Sequence, residues 1–145
     1  MAATKISTSQ FKPKVIESNF TPSASRYVAP TGTWGLVTNC SMNYTSGPTP
    51  ETLILTATVM ASKSAGLEGQ VSLSIDGVQI IGSELYYNPG VAWYRGTINA
   101  VYAMPANTTV AIRLYAQNAG AGGSFEVINE TAKWMPKITG FAVSS

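Results

Sequence analysis

Between Trp34 and Ala116 apolar side chains return at every second position, and this period of two constrains the fold more than any other feature. Trp34, Leu36, Cys40, Met42 and Tyr44 share one parity, as do Leu53, Leu55, Ala57, Val59 and Ala61, then Val71, Leu73 and Ile75, and later Val110, Ile112, Leu114 and Ala116. Successive side chains of a strand point to opposite faces, so each run describes a strand with one buried face. No window places apolar residues at helical spacing.

Turn residues separate these runs. Gly47-Pro48-Thr49-Pro50, Asn88-Pro89-Gly90 and Pro105-Ala106-Asn107 interrupt the chain, and the glycine-rich stretch 118–124 reads as a flexible loop. Asp76-Gly77 sits between Ile75 and Val78, a pair that favours the positive φ angles of a two-residue hairpin, so 70–75 and 78–81 are expected to be antiparallel neighbours. The segment Thr52 to Ala61 is apolar on both faces and belongs inside its sheet. Ala92 to Met104 reads as one long strand with a bulge or bend at Gly96, Phe125 to Asn129 as a short strand, and Ile138 to Val143 as the last. With 145 residues the chain is one domain's worth. The expected fold is all-β: a two-sheet antiparallel β-sandwich, a jelly roll of about eight strands, over residues 27–145.

Residues 1–26 differ from the rest. They are polar, hold Pro13 and Pro22, and carry Lys5, Lys12, Lys14 and Arg26 against Glu17 alone. Fully stretched, such a segment reaches on the order of 85 Å. It reads as an extended basic arm in which Phe11, Val15, Ile16 and Phe20 are apolar anchors for a partner.

Catalytic chemistry has little to work with. The chain has no histidine, so histidine-based triads and histidine-ligated zinc are excluded, and its single cysteine, Cys40, lies in phase with Trp34 and Met42 as a buried thiol. Among the seven carboxylates only a pairing such as Glu84 with Glu126 could serve a glycosidase. Neither the glycine-rich stretch 118–124 nor the turn Gly66-Leu67-Glu68-Gly69 is followed by the Lys-Ser/Thr of a phosphate-binding loop. The net charge of +2 is too small for a whole-domain nucleic-acid reader, and no apolar run approaches a membrane span or a leader peptide, which places synthesis in a cytoplasm. The expectation is a protein that is not an enzyme and uses no cofactor or metal, with no nucleic-acid or membrane partner.

Charged residues make up only 11% of the chain against about 25% in typical domains, a surface suited to packing against other subunits. There are more aromatic residues than one inward face needs. Tyr115 falls opposite Val110, Ile112 and Leu114, on the outer face, where a subunit or a sugar ring would cover it.

The run Thr52 to Gly82 with its Asp-Gly hairpin, the long Trp/Tyr strand, the segment Met104 to Ile112 and the terminal Ile138 to Val143 together resemble the tumour necrosis factor-like or complement-like jelly rolls of tailed-phage virions, over residues 33–143. The resemblance implies a non-enzymatic homotrimer, with Tyr94, Tyr102, Tyr115 and Phe141 as subunit-interface candidates. It further implies a head-decoration, head-fibre or tail-fibre location. A short arm suits a capsid decoration protein on the outer surface of the virion, with residues 1–26 laid across the major capsid protein. Deleting residues 2–26 should then abolish capsid binding and leave the sandwich folded. The alternative is a receptor- or carbohydrate-binding module with Tyr86, Tyr87 and Trp93 beside the 118–124 loop as its ligand platform.

Overall fold

The computed structural model describes residues 13–144, and every described strand pairing is antiparallel. Among the described residues ten strands form: β1 (Lys14–Glu17), β2 (Tyr27–Val28), β3 (Gly35–Thr45), β4 (Glu51–Lys63), β5 (Gly69–Ile75), β6 (Val78–Tyr87), β7 (Val91–Met104), β8 (Thr109–Asn118), β9 (Phe125–Val127) and β10 (Lys137–Ser144). The first sheet is built on β4, with β7 along one side, β10 and β9 along the other, β1 beyond β10 and β2 beyond β9. The second sheet runs β3-β8-β5-β6. The connections β3–β4, β4–β5, β6–β7, β7–β8 and β8–β9 all cross between the sheets, which makes the sandwich jelly-roll-like.

The core fills the space between the two inner faces. Leu53, Leu55, Ala57 and Val59 of β4 meet Val71 and Leu73 of β5 and Ile112 and Leu114 of β8, all fully buried. At the Asp76-Gly77 turn, φ is 51° at Asp76 and 86° at Gly77, as the hairpin requires. The Asp76 carboxylate also accepts the Ala111 backbone N–H at 2.7 Å, tying the turn to β8.

Two phase readings change. In β3 it is Val37 that is buried and Leu36 that faces outward, because a bulge between Leu36 and Ser41 resets the parity and places Asn39 at φ 64°. In β7 Gly96 pairs in register with Val59, and the irregularity lies opposite Ala61–Lys63 instead. A Cβ on Gly96 would stand 2.1 Å from Leu85 Cδ2, so glycine is required there by the close approach of β6 to β7.

The larger correction concerns the arm. Residues 14–17 are a strand paired with β10, Ile16 is buried in the core, and Phe20 packs against it. Residues 13–26 therefore belong to the sandwich. They join it because Ile16 can bury its side chain only by adding a strand to the free edge of β10. Lys5, Phe11 and Lys12 lie outside the described residues.

Ile16→Ala is accordingly expected to destabilise the domain by about 2–5 kcal/mol in chemical denaturation, the ordinary cost of emptying a buried isoleucine site. Deleting residues 2–26 should lower stability further. A truncated protein as stable as the full chain would contradict this assignment.

Candidate functional site

Strand β4 has a single partner, β7, along one side and two short ones along the other. β10 pairs with it from Glu51 to Thr58, and β9 from Ala61 to Lys63. Where the two short partners diverge, the chain between them leaves the sheet. Ile128 N–H still donates to the Met60 carbonyl at 3.0 Å, and Ile138 returns opposite Ala57. The intervening segment turns at Thr131, whose carbonyl accepts the N–H groups of Trp134 and Met135, and projects Lys133 and Trp134 beside the sheet.

This segment is anchored from behind. Asn129 is fully buried and donates from Nδ2 to the Thr38 carbonyl at 3.0 Å, across the sandwich in β3. Ser23 N–H donates to the Asn129 carbonyl at 2.7 Å, and Arg26 Nε donates to Glu130 Oε1 at 2.7 Å. Ser18 and Ile138 exchange two hydrogen bonds, one from each backbone N–H. The residues 18–26 thus buttress the loop they face.

The result is an open cleft of about 320 Å³ on the outer face of the first sheet. Its floor is Thr58 and Met60 of β4, one wall is Asn19 and Phe20, and the other is Trp134 with Arg95 of β7. The Arg95 guanidinium lies 5.2 Å from the centroid of the Trp134 ring system and the Lys133 ammonium 4.7 Å. Lys137 also lines the cleft but is paired with Glu17 at 2.7 Å. Apolar ring, polar rim and two cations without a carboxylate partner among the described residues converge here, a composition that suits a small-ligand site. Among the described residues no three Asp, Glu or Cys side chains come close enough to hold a metal ion.

The residues expected to form a ligand platform are dispersed. Tyr87 is buried, stacks edge-on to Tyr94 with centroids 6.1 Å apart, and donates its hydroxyl to the Val59 carbonyl at 2.9 Å. Tyr86 stands on the outer face of β6 in the second sheet, opposite Gln70, whereas Trp93 belongs to β7 in the first and lies 4.7 Å beneath the Arg26 guanidinium. The 118–124 loop is held rather than free, because the buried Lys63 ammonium donates to the carbonyls of Ala65 and Gly122 and so joins two loops. Burial lowers the Lys63 pKa from its ordinary value.

The interface candidates are also spread over the molecule. Phe141 is exposed on the outer face of the first sheet, Tyr115 is half-buried on that of the second, Tyr102 packs against the core, and Tyr94 is exposed beside Tyr87. Phe141 alone falls in an apolar feature. The pairings Val15–Phe141, Phe141–Ile54 and Ile54–Val101 set four exposed side chains in one row across β1, β10, β4 and β7.

Among the expected capsid contacts Lys14, Ile16, Phe20 and Arg26 are used within the domain, whereas Val15 is exposed. Lys14 Nζ donates to Glu51 Oε1 at 2.5 Å, Arg26 is held by Glu130 and Glu126, and Ile16 is in the core. Glu84 and Glu126 face outward from different sheets, so they form no carboxylate pair. Burial pushes the Cys40 thiol up to about 12, which leaves it protonated and unreactive near neutrality.

Sequence reasoning missed Arg95 and Lys133 and counted Trp134 only among the aromatics. The signal was the pair Lys133-Trp134 in a polar stretch between two strands.

No family model matches the chain, and no curated protein does. Solved structures are similar in fold. Dimeric latent PorU from Porphyromonas gingivalis superposes with a TM-score of 0.51 at 13% identity, covering 99% of this chain and 14% of that one. This chain thus corresponds to a small part of PorU. The C-terminal domain of EclA, described as a sugar-binding protein, gives 0.41 at 16% identity, covering 88% of this chain and 78% of that one. A family 35 carbohydrate-binding module from an environmental isolate gives 0.37 at 18% identity, covering 88% and 92%. The chain is a jelly-roll-like β-sandwich; the phage and trimer features rest on the sequence pattern alone.

At the rim of the core, Glu51 receives Lys14, the Tyr44 hydroxyl at 2.6 Å and the Gly47 N–H at 3.0 Å. Burial would raise its pKa, but these donors outweigh that and hold it below the ordinary 4.5. A carboxylate depressed on folding contributes stability that is present above the unfolded value and is lost as pH falls through the folded one. Denaturation midpoints should therefore fall below about pH 4.5, and Glu51→Gln should flatten that part of the profile. An unchanged profile in the variant would contradict the assignment.

Proposed function

We propose that the protein is a non-catalytic carbohydrate-binding module whose site is the cleft between residues 18–20, β4, β7 and the 129–136 loop. The observation that carries this reading is Trp134, a half-buried indole set in an open cleft beside Met60 and Phe20, with hydrogen-bonding groups on Asn19 and Thr58 at the rim. A pyranose has one apolar face and a hydroxylated edge, which such a wall and rim can meet together. The anchors of the loop hold the wall in place before any ligand arrives, which reduces the ordering cost of binding.

The capsid-decoration reading depended on a free basic arm. With Lys14, Ile16 and Arg26 committed inside the sandwich, that support is gone for the described part of the arm. Self-association keeps one observation of its own, the exposed row Val15, Phe141, Ile54 and Val101. An apolar row across four strands is a surface that a second copy can cover. If it does, light scattering of the full chain gives a multiple of the 15.3 kDa monomer mass, and Ile54→Lys returns it to monomer. A monomeric full-length chain would remove this second reading.

For the principal reading, an immobilised oligosaccharide panel should show ligands, and Trp134→Ala should weaken them at least about tenfold, or about 1.4 kcal/mol. Trp93→Ala, at the ring already covered by Arg26, should bind as the parent does. Equal losses in both variants, or none in either, would contradict the site.

A further inference from the structure

We infer that the cleft selects acidic glycans, those bearing carboxylate or sulfate groups, with Arg95 and Lys133 as the residues that read the charge; this rests on the carbohydrate-binding reading above. Two observations carry it. The first is that two cations are held against one indole, the guanidinium at 5.2 Å and the ammonium at 4.7 Å. The second is the pattern of ion pairs. Lys14, Arg26 and Lys137 each have a carboxylate partner, whereas among the described residues Arg95 and Lys133 have none. Residues 1–12 contain no Asp or Glu that could supply one.

Placing two cations beside the same ring is favourable for each with the ring and unfavourable between them. An anionic group bound beside both removes that repulsion and forms charge-assisted hydrogen bonds with donors from two separate elements, β7 and the 129–136 loop. The sugar ring that carries the group can then rest on the apolar part of the cleft, Trp134, Met60 and Phe20. Glu17 does not cancel this charge, because it is engaged with Lys137 at 2.7 Å. A neutral sugar would use the apolar wall and leave the two cations unanswered. An anion without a sugar ring would use the cations and leave the wall empty.

The inference separates into measurable arms. The full chain is titrated by affinity electrophoresis against polygalacturonate and its fully methyl-esterified form, dextran sulfate and dextran, and inorganic polyphosphate. The expected result is binding to at least one acidic polymer ten times or more tighter than to its neutral counterpart, weakening with added salt. Preference for polygalacturonate assigns the group as carboxylate, and preference for dextran sulfate as sulfate. R95Q combined with K133Q should remove that preference, bringing the affinity for the acidic polymer down to that for its neutral counterpart. R113Q changes a cation on the second sheet that also lacks a carboxylate partner among the described residues, and should behave as the parent. Equal binding of acidic and neutral forms overturns the charge selectivity and leaves the carbohydrate reading standing. Polyphosphate binding as tight as the acidic glycan, or an equal loss in R113Q, overturns it as charge alone. Binding to none of the polymers removes both readings together.

Discussion

Strand β4 sets the geometry of the whole molecule, because it is flanked by one long strand on one side and by two short ones on the other. β7 follows it from Glu51 to Lys63, which fixes the first sheet, while β10 and β9 divide its opposite edge between them. Both run in the same direction along that edge, and a strand continued straight from Val127 opposite Ala61 would bring Thr131 opposite Ala57, where Ile138 stands instead. The extra residues leave the edge and come back, and they line the outer face of the sheet there. The cleft is a consequence of this insertion between two collinear strands. Its floor is the stretch of β4 at the change of partner, and its wall is the excursion itself.

The ends of β4 show how the sandwich tolerates charge at its rim. The inward series Leu53, Leu55, Ala57, Val59 and Ala61 terminates in Glu51 at one end and Lys63 at the other, both almost completely buried. Neither neutralises the other. Glu51 gathers an ammonium, a phenol and a backbone N–H, and Lys63 gathers two loop carbonyls. Buried charge is costly unless its hydrogen-bonding capacity is met, and here each end is met by a different part of the chain. The Lys14–Glu51 contact closes the N-terminal strand onto the rim, and the Lys63 contacts close the glycine-rich loop. The same charges that look free in the sequence are therefore spent on holding the fold together.

Most of the sandwich was legible because period two is a local signal. The parity of Leu53 to Ala61, of Val71 to Ile75 and of Val110 to Ala116 matches the buried faces, and the Asp76-Gly77 hairpin forms as its turn chemistry requires. What was illegible was non-local. Leu36 and Val37 are both apolar, so the bulge at Asn39 that exchanges their faces leaves no mark on the pattern. Residues 14–17 form a strand too short to declare itself; only the free edge of β10 and the buried site for Ile16 make it one. The platform of Tyr86, Tyr87 and Trp93 failed for a related reason. Residues close in sequence on either side of a turn that crosses between sheets end on different layers. Arg95 and Trp134 are far apart in sequence and meet only because β9 and β10 both lie against β4.

Ligand entry where β4 changes partners is tested by the amide proton–nitrogen spectrum of the labelled full chain during titration with oligogalacturonate. Perturbed signals are expected to cluster at residues 18–20, 58–60, 95 and 132–137. Perturbations confined to the outer face of the second sheet, around Tyr86 and Tyr115, or a spectrum unchanged at saturating ligand, would contradict it.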